Sequence, residues 1–277
     1  MRKPQILRNT ILKDIKQTFL LPLSNKLYFI LSVASDILFF MTFLLTFAII
    51  QQRIFDYIGF LMNAAQTDIS NVSGLVANQN SMVDVMLNKP EFAYYFTKAL
   101  QLLLLLMALA MVVYCVFQGL VWLFCNRVVD RRTKASYLLR FLAVNIIWLS
   151  LFYCFIYTWV KLSVYATFSI FPLVSRDFVT VLFIICTFAL AYFAFVSYPL
   201  LRKTGLKKIF QKTFIVGFKD YKKILLTFLP CLVIIAVLVI LGFLLSSHFV
   251  LFLLYLLVIV FPLLTILRIF AILRITG

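Results

Sequence analysis

Apolar and polar positions fall in long blocks along this chain rather than alternating residue by residue. Six apolar runs stand out: roughly Leu27–Ile50, Ala99–Phe124, Phe141–Val160, Phe178–Leu201, Ile224–Ser246 and Phe249–Leu267. Each is close to the ~20 residues that a helix rising ~1.5 Å per residue needs to cross a hydrocarbon core. The last two are parted by little more than Ser246, Ser247 and His248, which predicts a tight helical hairpin. The first run is too long for a signal-peptide core, and no small-residue cleavage pattern follows it, so it reads as a retained span.

The connections are unequal. Gln51–Thr97 is the long one, and its apolar residues Ile54, Ile58, Leu61, Ala65, Ile69 and Val72 recur at helical spacing. The pattern predicts that the first span continues outward as an amphipathic helix, breaks near Ser73–Gly74, and is followed by a second helix ending before Pro90; the alternative, suggested by the polar stretch Asn78–Ser81, is an irregular loop. Asn71-Val72-Ser73 matches a glycosylation sequon, meaningful only in a compartment with the machinery.

A second unusual connection is residues 202–223. On a helical wheel, Leu206, Ile209, Phe210, Thr213, Gly217 and Tyr221 fall on one side of the segment. Lys208, Gln211, Lys212, Lys219, Lys222 and Lys223 fall on the other, with Ile215 and Phe218 as misfits. This is the pattern of a basic helix lying in the headgroup layer, turning near Lys222–Lys223 into the fifth span. Lys208, Lys212, Lys219 and Lys222 are then the anionic-lipid contacts. The alternative is a plain loop made basic by topology alone. Leu12–Phe19, within the amphipathic N-terminal residues 1–26, echoes Leu206–Phe214 with one insertion. The basic segment Asn126–Arg140 precedes the third span. The chain therefore reads as three hairpins, each introduced by a basic segment.

Composition changes this picture little. Of 277 residues, 65% are hydrophobic and 13% charged, with a mean hydropathy of +1.09, too little polar surface to coat a water-soluble globule. The net charge of +17 changes it more. Counted by alternate connections, 21 Lys and Arg fall on the side of both termini, Arg268 and Arg274 included, and five on the other. That bias places both termini in the cytoplasm. No nucleic-acid-binding signature accompanies the charge. The five cysteines sit in or at the ends of apolar runs without a CxxC pair, which argues for buried thiols rather than a disulfide framework or zinc site.

Leu206–Leu226, a lysine-rich amphipathic segment running straight into a span, and its counterpart Leu12–Phe19 resemble a group of prokaryotic six-helix membrane domains. These include the membrane domain attached to some glycerophosphodiester phosphodiesterases, and stand-alone relatives. The resemblance implies an architecture and a prokaryotic cytoplasmic membrane, but no activity. The long Gln51–Thr97 segment departs from the family's compact pattern.

Chemistry inside the spans is sparse. Asp36 is the only acidic residue there, nine residues into the first run or about 13 Å along a helix. An intramembrane carboxylate is a site candidate by default. Gln118, Asn145, Ser150 and Ser197 fall at similar depth and could complete a polar layer. Equally, Asp36 could be protonated, or bonded to Ser32 one turn earlier, and serve packing alone. One histidine, His248, excludes paired-histidine catalysis and multi-histidine metal sites. Seven scattered glycines make no phosphate loop. Pro230 and Pro262 interrupt the fifth and sixth runs, which predicts kinks.

The sequence thus predicts a single all-α polytopic membrane domain over residues 1–277, with six spans, an external helical excursion over 51–97 and interfacial basic helices. No enzyme or cofactor is expected. The functional expectation is a protein that organises membrane lipids or a partner membrane protein; the alternative is a small transporter or channel centred on Asp36.

Overall fold

The computed structural model describes residues 3–71, 90–168 and 175–276. The described residues are almost all helical, with no strand among them. In chain order the elements are α1 (Lys3–Ser24), α2 (Lys26–Asn71), α3 (Pro90–Val129), α4 (Ser136–Phe168) and α5 (Arg176–Leu200). There follow α6 (Leu206–Lys219), α7 (Tyr221–Leu245), α8 (Phe249–Tyr255), a π-helical turn (Leu256–Val260) and α9 (Phe261–Thr276). Six stretches are long and apolar enough to cross a membrane: Lys26–Phe60, Thr97–Val129, Ser136–Trp159, Asp177–Leu200, Tyr221–Leu245 and Phe249–Thr276.

Several boundaries follow from single residues. Pro90 opens α3, where its missing N–H costs nothing. α2 runs unbroken for 46 residues, so the first span does continue as helix to Asn71. The break at Ser73–Gly74, the helix before Pro90 and the rest of the sequon lie outside the described residues. The predicted hairpin turns at Ser246–His248, closed by His248 N–H donating to the Leu245 carbonyl at 2.9 Å.

Contacts divide the chain into two compact units. One comprises Met1–Phe39, Tyr114–Phe152 and Ile185–Gly277; the other Phe40–Val113 and Tyr153–Ile184. In the second unit, Phe60 stacks on Tyr95 and Trp159 on Phe183. The first unit holds the main apolar core, built from Val121, Phe141, Val196, Leu201, Ile209 and Ile269 among others. α3 and α4 approach closely at Gly119, where an added Cβ would stand 3.2 Å from Phe141. Around this core large apolar side chains face outward, as in Phe243 at 79% exposure. Such a surface has hydrocarbon as its solvent.

α6 explains its own misfits. Ile209, Thr213 and Gly217 form a buried stripe. Phe214 and Phe218 lie to one flank, both against Phe193 of α5. Lys208, Lys212 and Lys219 lie exposed on the other flank with Ile215. Phe218 thus belongs to an aromatic edge that a two-face wheel cannot represent. The turn into α7 comes at Asp220, two residues before the predicted Lys222–Lys223.

The N-terminal echo is closer than its residues suggest, and needs no insertion. Thr18 matches Thr213, Pro22 matches Gly217, Asn25 matches Asp220, Ser32 matches Thr227 and Asp36 matches Cys231, at a constant offset of 195 positions. The helix breaks coincide. Asn25 N–H donates to the Leu21 carbonyl and Phe29 N–H to that of Asn25; Asp220 N–H donates to Val216 and Ile224 N–H to Asp220. Each pair named by offset is buried on both sides where Thr18, Pro22, Ser32 and Asp36 are concerned, and Leu23 and Phe218 are both exposed. α1–α2 and α6–α7 are the same helix–break–span unit. Asn126–Arg140 does not follow it: Asp130–Ala135 is a turn between α3 and α4.

Candidate intramembrane polar site

Asp36 lies ten residues into α2, about 15 Å from its start. It is 2% exposed and is held by two other helices. Arg268 of α9 donates from Nη1 to Asp36 Oδ2 at 2.5 Å and from Nη2 to Oδ1 at 3.1 Å. Gln118 of α3 donates from Nε2 to the same Oδ1 at 3.1 Å, and its Oε1 accepts from Arg268 Nη2 at 3.1 Å. Carboxylate, guanidinium and amide therefore close a ring in which each member bonds both others. A forked guanidinium is the group that meets a carboxylate in this two-point way.

Ser32 does not turn to Asp36. Its hydroxyl lies 3.2 Å from Cys125 Sγ and 3.3 Å from Thr265 Oγ1, one helical turn from Asp36 and Arg268 on α2 and α9 and two turns from Gln118 on α3. Two successive polar layers thus tie α2, α3 and α9 together. Fixed bonds of this kind are what an apolar solvent rewards, since no water competes for the partners.

Asn145 belongs to a neighbouring network. Tyr198 OH donates to Asn145 Oδ1 at 2.7 Å, and Asn145 Nδ2 donates to the Phe141 carbonyl. Tyr137 OH donates to the Tyr198 carbonyl, and Trp148 Nε1 to Ser197 Oγ. Tyr114, one turn before Gln118 on α3, lies with its hydroxyl 3.5 Å from that of Tyr198. Of the predicted polar layer, Gln118 meets Asp36 directly, and Asn145 and Ser197 form a second cluster on α4 and α5. Ser150 is not brought to either: it is on the exposed face of α4, two residues past the buried Trp148.

Arg268 is the correction that matters. Counted from the sequence as a charge of the C-terminal tail, it is a half-buried partner of Asp36 instead. Its neighbour Arg274 is 3% exposed and pairs with Asp14 of α1. The signal was present: Ile269-Phe270-Ala271-Ile272-Leu273 continues the apolar run past Arg268, so the arginine sits within the span.

Two surface grooves are large enough to hold part of a ligand, and Asp36 lines neither. One of about 390 Å³ is bounded by Gln17, Ser24, Val129 and Leu273; another of about 450 Å³ lies between α7 and the α8–α9 arm at Leu238, Gly242, Phe252 and Tyr255. Lys208, Lys212, Lys219 and Lys222 are exposed, Lys222 over the Tyr221 ring at 5.8 Å. No protein-family model, no curated protein and no solved structure matches the chain.

Proposed function

We propose that this is a non-enzymatic membrane protein that organises anionic lipid on the cytoplasmic leaflet through α6. The observation that carries the reading is the division of α6 into three sectors: a buried stripe, an aromatic flank and a lysine flank. The stripe fixes the helix to the protein, so its orientation does not depend on the membrane. The phenylalanines suit the acyl-chain boundary and the lysines suit phosphate. The alternative of transport through Asp36 loses support from the closed ring. Every bond the ring makes is internal, so a passing ion or proton would have to break a buried pair.

The test is the full chain extracted with its surrounding bilayer in polymer nanodiscs, and the co-purified lipid identified by mass spectrometry. Anionic lipid should be enriched over the bulk membrane. Each lysine near an anionic surface contributes about 1 kcal/mol, fading within a Debye length. Replacing Lys208, Lys212, Lys219 and Lys222 with Gln should therefore erase the enrichment, and high salt during extraction should reduce it. Lipid of bulk composition around the parent protein would refute the reading.

A further inference from the structure

We propose that the N-terminus of α6 is a specific site for one phosphoryl group. The proposal rests on the lipid reading above only for its location at a membrane face, and concerns different residues from the lysine flank.

α6 has 14 residues and begins at a cap, Gly205, which has no side chain to bond the first amides of the helix, of which Lys208 N–H alone turns back, to the Gly205 carbonyl at 3.1 Å. Those amides and the positive end of the helix dipole are an anion cradle, but an uncapped end alone is a common feature. Two unpartnered groups point to a ligand here, and two further cations adjoin them. Thr204, the residue before the cap, is 4% exposed, and its hydroxyl has no hydrogen-bond partner. Two residues earlier, the Nη1 of Arg202 is buried and equally unpartnered. Buried donors without partners are rare enough to need a cause. Arg140 reaches the same place from α4, its Nη1 making only a long 3.5 Å bond to the Thr204 carbonyl. Lys203 completes the cationic turn, its Nζ on the Thr276 carbonyl.

Among the described residues, no acidic group pairs with these charges. Neither ion pair found among the described residues involves Arg140, Arg202 or Lys203. The chain has no Asp or Glu between Asp177 and Asp220. Two arginine forks, a hydroxyl and a row of helix amides match the three oxygens and two charges of a phosphate better than they match a carboxylate. The group can belong to a phospholipid headgroup or to a soluble phosphate compound; the chemistry of recognition is the same.

Gly205 offers a clean test. Its φ of −74° and ψ of 157° suit any residue, and a Cβ there meets nothing within 4 Å. Gly205→Asp should fold at least as well as the parent, because aspartate is a good cap, while placing a carboxylate where the phosphate would sit. Gly205→Ala leaves the cradle open and is the control. Full-length protein in a neutral detergent is titrated calorimetrically with short-chain phosphatidic acid, with phosphatidylcholine of the same chains, and with inorganic phosphate. The parent and Gly205→Ala should bind about one equivalent of phosphatidic acid, at least about tenfold tighter than phosphatidylcholine. Gly205→Asp and Arg140→Gln/Arg202→Gln should each lose that preference, with Gly205→Asp raising the melting temperature. Inorganic phosphate competing with the lipid identifies a soluble source as sufficient; lipid binding that phosphate does not displace assigns the headgroup. Equal binding of the two lipids by the parent, or a preference that survives Gly205→Asp, overturns the site. The lysine flank is judged separately, on the anionic-lipid enrichment in nanodiscs, so either idea fails without the other.

Discussion

At the scale of single residues, Asp36 changes meaning once Arg268 is beside it. An unpartnered intramembrane aspartate is dispensable when it only packs, and its conversion to asparagine relieves a cost. With Arg268 bonded to both oxygens, Asp36→Asn instead strands a guanidinium among apolar side chains. Losing one partner of a buried pair costs about 3–5 kcal/mol. Asp36→Asn should therefore lower stability by that order, read by reversible unfolding in mixed micelles. Asp36→Leu/Arg268→Met removes both charges and should recover most of the loss. Recovery is the informative result, since a transport residue replaced in this way would lose activity whatever the stability. The glycines give a second contrast. A Cβ on Gly217 would stand 2.8 Å from Phe193, whose ring braces Phe214 and Phe218. Gly217→Ala should cost about 1–3 kcal/mol by overpacking. Gly59, with nothing within 4 Å, should gain up to about 1 kcal/mol from the same change, as an ordinary helical glycine does. Thermal midpoints moving in opposite directions would establish the pair.

At the scale of elements, much was written in the hydrophobic pattern and some was written in residues that the pattern treats as noise. The span positions are plain because a bilayer demands long apolar runs, whatever packs against them. The ring around Asp36 is not, because it depends on which faces of α2, α3 and α9 turn inward, and no local spacing records that. The phase of α9 has an additional cause. Buried or half-buried positions step from Phe252 to Tyr255 and Leu256, then widely to Val260 and Phe261, and on to Thr265 and Ile269. The wide step is the π turn Leu256–Val260, closed by Phe261 N–H donating to the Leu256 carbonyl. Pro262 accounts for it: a proline ring clashes with the carbonyl four residues before, here Val258, inside the widened turn. A kink was predicted from this proline, and a change of phase is what it produces. The turn allows Tyr255 OH to reach the Leu238 carbonyl at 2.7 Å while Thr265 and Arg268 still face inward. Tyr255→Phe should cost about 1 kcal/mol in the parent. In a Pro262→Ala background, where a regular helix swings Tyr255 round by about 100°, the same change should cost nearly nothing. Equal costs in both backgrounds would separate the proline from the π turn.

At the scale of the whole molecule, orientation rests on charge, and the two paired arginines alter the count without altering its sign. Arg268 and Arg274 are engaged by Asp36 and Asp14 and have no claim to be tail charges. The bias survives without them, because Arg131, Arg132, Lys134, Lys203, Lys207, Lys208 and Lys212 are at or near exposed turns that follow even-numbered spans. The positive-inside rule then predicts that these connections face the cytoplasm. Gly59 lies at the far end of the first span, Lys26–Phe60, and Gly205 in the turn after the fourth, so the rule assigns them to opposite sides. Both accept a Cβ without any neighbour within 4 Å, so a cysteine at either place leaves packing untouched. In a background with the five native cysteines replaced by alanine, Gly59→Cys should react with a membrane-impermeant maleimide in intact cells. Gly205→Cys should react only after permeabilisation. The reverse pattern would put α6 and the proposed phosphoryl site on the outer face, where the leaflet chemistry differs. Labelling of both in intact cells would put both residues outside, so that an even number of crossings separates them instead of the three that the six-span arrangement requires. The double-sided result is thus the one on which the lipid reading, the phosphate site and the six-span topology all depend.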